Sequence, residues 1–229
     1  MTRNPAAARR THAPIAGSDD AFAARIADAT EWTRRNTRAV ITGLIVVAVA
    51  IFALIYYVNY REGLRTRAAT ELLEVRQTVA TGDIPTAVTQ LEAFVGRFGD
   101  TPAGHEARLL LAQLQLAQGN ATQAAEAARP VAEDGDPLMA TSAGLLMAGA
   151  LETAGQPQEA EQAYLRVAEE AEMEFQRREA LEDAARIRVE RGDRAGAVEL
   201  YDQLIGLTEE GSPDRDVYLM RRAEITAGS

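Results

Sequence analysis

Two histidines and a scatter of acidic turns are the residues of this 229-residue chain that could do chemistry, and there is no cysteine. His12 lies in an Arg-, Ala- and Thr-rich stretch, and His105 stands beside Glu106 with no second His or Cys near it in sequence. A zinc site needs several such ligands, so His105 reads as a surface or groove residue. Asp134-Gly135-Asp136 places two carboxylates as a calcium loop would, but the long ligand pattern of such a loop is missing and Pro137 follows. It reads as a turn. No serine elbow and no glycine loop fit to cradle a phosphate occurs either. Catalysis needs convergent titratable groups, so the chain reads as a non-enzyme with no metal, no cofactor and no small-molecule substrate. Two tripeptides, Arg191-Gly192-Asp193 and Asn120-Ala121-Thr122, look like an adhesion motif and a glycosylation acceptor. Both fall on a turn that recurs along the chain, which makes them structural.

The first structural element is an uncharged run from Ala39 to Val58. Twenty residues at the helical rise make roughly 30 Å, the hydrocarbon thickness of a bilayer. Twelve of the twenty are Val, Ile, Leu or Phe. These side chains favour insertion by roughly 4 to 7 kcal/mol in total, and no charge opposes them. Trp32 before the run and Tyr56, Tyr57 and Tyr60 at its far end are the aromatics expected at headgroup depth. A cleaved signal peptide fits less well, because 38 residues precede the run and it exceeds a usual signal core. The run reads as a single transmembrane helix.

Residues 1–38 carry seven Arg and four acids, net +3, whereas residues 59–229 carry 17 Arg and 30 acids, net −13. The positive end stays in the cytoplasm by the positive-inside rule. Its first 17 residues read as disordered. Ser18-Asp19-Asp20 is placed to cap a short helix with Phe22, Ile26, Ala29 and Trp32 along one side, the alternative being a polar lead-in to the span. The acidic remainder would repel phosphate, which argues against nucleic acid as a partner.

Beyond the span a turn recurs as Gly82-Asp83, Gly119-Asn120, Gly155-Gln156 and Gly192-Asp193, at spacings of 37, 36 and 37 residues. Each Gly is followed five residues later by Ala, at 87, 124, 160 and 197. The period marks a repeat array. Gly ends one helix in the left-handed conformation, the next Asp or Asn caps the following one, and Pro85 and Pro157 fit its first turn. On first helices, Leu109, Ala112 and Leu116 share a face, as do Leu145, Ala148 and Leu151; on second helices, Ala160, Tyr164 and Val167 do, as do Ala197, Tyr201 and Leu204. One helix pair cannot bury its stripe alone, so neighbouring pairs must stack. Pro102, Asp136-Pro137 and Gly211-Ser212-Pro213 break the chain between units, and Asp214 to Ile225 reads as a capping helix. The fold class is all-α: one transmembrane helix, then an α-solenoid of about four helix pairs.

The Gly-x4-Ala spacing, the small residues Ala112, Ala148 and Ala185 seven positions before Gly, and the large Leu91, Tyr164 and Tyr201 four after Ala resemble tetratricopeptide repeats (TPRs). Val75 and Ala128 depart from that pattern, and the period exceeds the usual 34 residues. The layout of short tail, single span, Phe98-Gly99-Asp100-Thr101-Pro102 running into Ala107-Arg108-Leu109-Leu110-Leu111-Ala112, and acidic repeat domain resembles the YfgM-type family of tetratricopeptide-like proteins, ancillary subunits of the SecYEG translocon. The resemblance covers roughly residues 31–225. It implies a single-pass bacterial inner-membrane protein, N-terminus cytoplasmic and repeat domain periplasmic, whose partners are the translocon, periplasmic chaperones or newly exported chains.

In such repeats the concave face is lined by first helices, and the resemblance places Arg76, Glu106, Leu109, Gln113, Leu145, Glu152, Arg186 and Val189 there. A face of mixed character suits extended or loosely structured polypeptide better than one fixed charged motif. The alternative for these residues is packing against the next repeat. The function expected is a membrane-anchored scaffold or chaperone-like adaptor. The alternative is a structural subunit of another envelope machine, such as outer-membrane, pilus or cell-wall biogenesis.

Overall fold

The structure is a computed structural model that describes residues 36–228; the helix expected after Ser18 lies outside the described residues. Among these residues there are nine α-helices and no strand. In chain order they are α1 (Thr37–Ala80), α2 (Ile84–Phe98), α3 (Pro102–Ala117), α4 (Ala121–Asp134), α5 (Pro137–Thr153), α6 (Pro157–Glu170), α7 (Glu174–Glu190), α8 (Arg194–Gly206) and α9 (Pro213–Ala227). The chain divides into two compact units, Met1–Tyr60 and Arg61–Ser229.

The described part of the first unit is the apolar stretch of α1. It is long and apolar enough to cross a membrane, and none of its most apolar window is buried within the protein. Tyr56 and Tyr60, one turn apart, stack with ring centroids 6.5 Å apart. The helix does not stop with the apolar run at Val58 but continues to Ala80. Nothing in that stretch breaks it: Gly63 is an isolated glycine and no proline stands between Val58 and Pro85.

In the second unit, α1 is amphipathic. Ala68, Leu72 and Val75 are buried at helical spacing. They join Leu91, Phe94 and Phe98 of α2 and Ala107 and Leu111 of α3 in one apolar cluster. A larger cluster runs from Ala112 of α3 to Tyr218 of α9, and Ala127 of α4 packs against both. Each helix from α2 to α8 contacts its successor, and α3 also touches α5, as stacked helix pairs require.

The repeat turn explains this regularity. Gly82, Gly119, Gly155 and Gly192 all sit at positive φ, between 75° and 83°, so each ends its helix in the conformation that glycine tolerates best. A Cβ at any of the four would meet open space, so its cost is conformational and not steric. Gly155→Ala is therefore expected to lower stability by about 1 kcal/mol, read as a shifted urea midpoint with an unchanged slope. The alanines five residues on, and Ala112, Ala148 and Ala185 before the turns, are fully buried. Small side chains there let neighbouring helices approach closely. Gly144 goes further, because a Cβ on it would stand 2.5 Å from Val167 Cγ2.

Of the expected stripes, Leu109, Leu116 and Leu145 are only half-buried, while their partners are buried. The caps divide as well. Asp83 accepts from the Thr86 amide, Thr101 from Gly104, Asp136 from Leu138, Asp193 from Gly196 and Ser212 from Arg215. Asn120 does not cap α4. Its side-chain amide instead donates to Gln115 Oε1 at 2.8 Å, satisfying a buried glutamine that an aspartate could not.

Candidate functional site

Four first helices, α1, α3, α5 and α7, carry the residues expected on the inner face. Arg76 of α1 donates from Nη2 to Glu106 Oε1 of α3. Two pairs further on, Arg186 of α7 donates from Nη1 and Nη2 to the two carboxylate oxygens of Glu152 of α5, at 2.6 and 2.9 Å. Arg186 also reaches Asp183 at 2.9 Å and Glu190 at 3.3 Å. The planar guanidinium matches a carboxylate in this two-pronged way, so the link is directional as well as charged. Four of the eight expected residues thus tie one first helix to the next. Leu145 packs on the core, Leu109 is half-buried, and Gln113 and Val189 face solvent.

Ionisation follows from these contacts. Hydrogen bonds from Arg186 hold the Glu152 carboxyl below its ordinary value of 4.5, against a smaller opposing effect of burial. The same bonds raise Arg186 further above its ordinary value. Burial pushes Tyr164, Tyr201 and Tyr218 above their ordinary 10.0, helped by Asp183 and Glu152 at Tyr164 and by Glu182 at the other two. Glu152 has a lower value folded than unfolded, so its stabilisation is present above pH 4.5 and is lost as pH falls through the lowered value. The tyrosines have raised folded values, so theirs is whole below pH 10.0 and is lost as pH rises through them. Thermal melts are expected to drop at both extremes, and Glu152→Gln to flatten the acid side only.

Arg186 and Val189 also line a groove of about 800 Å³ between α7 and α9. Its floor holds the rings of Tyr201 and Tyr218, whose centroids are 6.3 Å apart, and Ile225. Phe175 stands exposed at its edge. The sequence marks α9 only as a capping helix, whereas in the structure it also forms a groove wall. Tyr218, the buried residue of α9, was the available signal. A second arrangement was also missed: Glu161 of α6 is buried and accepts from Arg188 Nε at 2.7 Å and from Arg191. The Arg191-Gly192-Asp193 tripeptide is consumed by this brace, by the left-handed turn and by the α8 cap. Among the described residues no group of three His, Cys, Asp or Glu is placed to hold a metal ion.

Stacked helix pairs with glycine turns, buried small residues at each crossing and a capping helix agree with a comparison of the chain against family sequence models, in which the tetratricopeptide repeat-like domain matches residues 30–221. The chain belongs to the tetratricopeptide repeat-like family. Solved TPR structures carry the same fold. The TPR-like repeats of a kinesin light chain-type protein from Podospora anserina superpose with a TM-score of 0.53 at 21% identity, over 72% of this chain and 89% of that one. A tetratricopeptide repeat protein from Parabacteroides merdae gives 0.54 at 16% identity, over 71% and 61%. No curated protein sequence matches the chain. TPR-like solenoids present extended surfaces that bind other proteins, and this one is built as such a scaffold.

Proposed function

We propose that this TPR-like protein is a non-enzymatic adaptor anchored in the bacterial inner membrane, which meets partner proteins or newly exported polypeptides beside the Sec translocon. The observation that carries this reading is the union, in one chain, of an exposed apolar helix of membrane-spanning length with a TPR-like unit. Residues 39–58 are the span, residues 1–38 the cytoplasmic tail, and residues 59–229 the periplasmic domain. The Arg-rich tail and the acidic domain support that orientation, and the YfgM-type resemblance supports the translocon and its periplasmic chaperones as partners. Tethering makes the second encounter effectively intramolecular, so modest affinity suffices.

Within the domain, Leu109, Gln113 and Val189 are the expected residues left to meet a partner, while Arg76, Glu106, Glu152 and Arg186 hold the helices that present them. A photo-crosslinking amino acid at Gln113 or Val189 of the full chain in native membranes tests this. Adducts with translocon subunits, chaperones or a spread of exported chains are the expected result. One stoichiometric adduct with a single folded envelope protein would instead identify a structural subunit of another envelope machine.

A further inference from the structure

The groove between α7 and α9 carries charge that the fold leaves unused, and most of it is negative. Three of its four arginines are engaged: Arg186 by three carboxylates, Arg221 by Glu224 at 3.2 Å, and Arg194 by the Gly228 carbonyl. Among the described residues Arg178 has no hydrogen bond or ion pair, and neither do Glu179 and Asp214. Glu182 accepts only from the Tyr218 hydroxyl, at 3.4 Å. One uncommitted cation therefore faces three carboxylates without a cationic partner.

Beneath that rim the floor is aromatic and aliphatic. Tyr201 and Tyr218 form the floor, and Phe175 and Val189 are 56% and 39% exposed at its edges, so a segment seated there would cover apolar surface. We infer that this groove takes an extended polypeptide segment in which a lysine or arginine stands beside a large apolar side chain. The inference rests on the scaffold reading above and names the chemistry that the site selects. In an extended segment alternate side chains point the same way, so apolar residues reach the tyrosine floor while their neighbours meet Glu179 and Asp214 at the rim. The apolar contact supplies the anchor, and the rim charges supply selectivity and salt-dependent association. The surrounding domain, net −13 over residues 59–229, repels acidic segments and polyphosphates alike.

The test uses the full chain in nanodiscs of zwitterionic lipid, with empty discs as the blank, and fluorescence anisotropy of three short labelled peptides: alternating Lys and Phe, alternating Glu and Phe, and alternating Lys and Ser. The Lys-Phe peptide should bind about tenfold more tightly than either of the others, and salt should weaken it. The exposed double variant Glu179→Gln/Asp214→Gln should lose about fivefold for that peptide with an unchanged thermal melt. Phe175→Ala should lose a similar factor and keep the preference for Lys over Glu. Equal binding of the Glu-Phe peptide, or indifference to Glu179→Gln/Asp214→Gln, overturns the assignment. If crosslinks to exported chains persist while charge preference is absent, only this inference fails. If both are absent, the adaptor reading fails with it.

Discussion

Phe94→Ala is expected to lower the unfolding free energy of the helical unit by about 4 kcal/mol. Phe94 is fully buried and heads the largest such side chains. Its ring lies 5.0 Å from that of Phe98, within the cluster formed by α1, α2 and α3. Removing it forfeits the transfer energy of the ring and leaves a cavity that helices braced on both sides fill poorly. In a solenoid each pair is stabilised mainly by its neighbours, so the damage should be local. Amide exchange should accelerate in Arg61–Ala80 and in α2 and α3, with much smaller changes in α7 and α8. Phe94→Leu keeps most of the volume and should cost about 1 kcal/mol. Uniform loss of protection across the unit would show that the two core clusters unfold as one.

Glu161→Ala should cost about 3 kcal/mol, the other large effect of a single substitution. Glu161 has only 11% of its side chain exposed, and Arg188, at 19%, is held by it and by the Gly196 carbonyl. Removing the carboxylate leaves Arg188 charged, mostly buried and short of its principal partner, and that penalty exceeds the attraction lost. The α6–α7 interface and the start of α8 should loosen together, because Arg188 and Arg191 join Glu161 to the turn at Gly192. The exposed pair Arg97–Glu71, 2.8 Å apart, is the control: Glu71→Ala should cost less than about 1 kcal/mol. Equal effects in the two variants, measured by urea unfolding, would mean that burial does not govern these pairs.

The repeat frame was legible because backbone constraints are local. A glycine that must adopt positive φ and an alanine that must fit a helix crossing recur at one spacing, and Gly82, Gly119, Gly155 and Gly192 with Ala87, Ala124, Ala160 and Ala197 kept every assignment. The capping residues were less legible, since Asn120 had a competing partner in Gln115 that only the folded turn brings close. Leu109 and Leu145 met the helical period but sit at the margin of the core, where periodicity gives the face and not the depth. The ion pairs were hidden for another reason. Arg76–Glu106, Glu152–Arg186 and Glu161–Arg188 join residues 30, 34 and 27 positions apart, about one repeat each, and many charged pairs share such separations. Stacking decides which of them meet. The groove was least visible, because its floor combines Tyr201 of α8 with Tyr218 of α9, and it depends on how the last helix closes the array.

Protease treatment of spheroplasts tests most directly the proposed placement of the TPR-like scaffold, outside the inner membrane and held to it by one span. With an antibody to the C-terminus, digestion of residues 59–229 before lysis is the predicted result, and it directs the search for partners to secretion and the envelope. Protection until the cells are lysed would put the domain in the cytoplasm and contradict that placement.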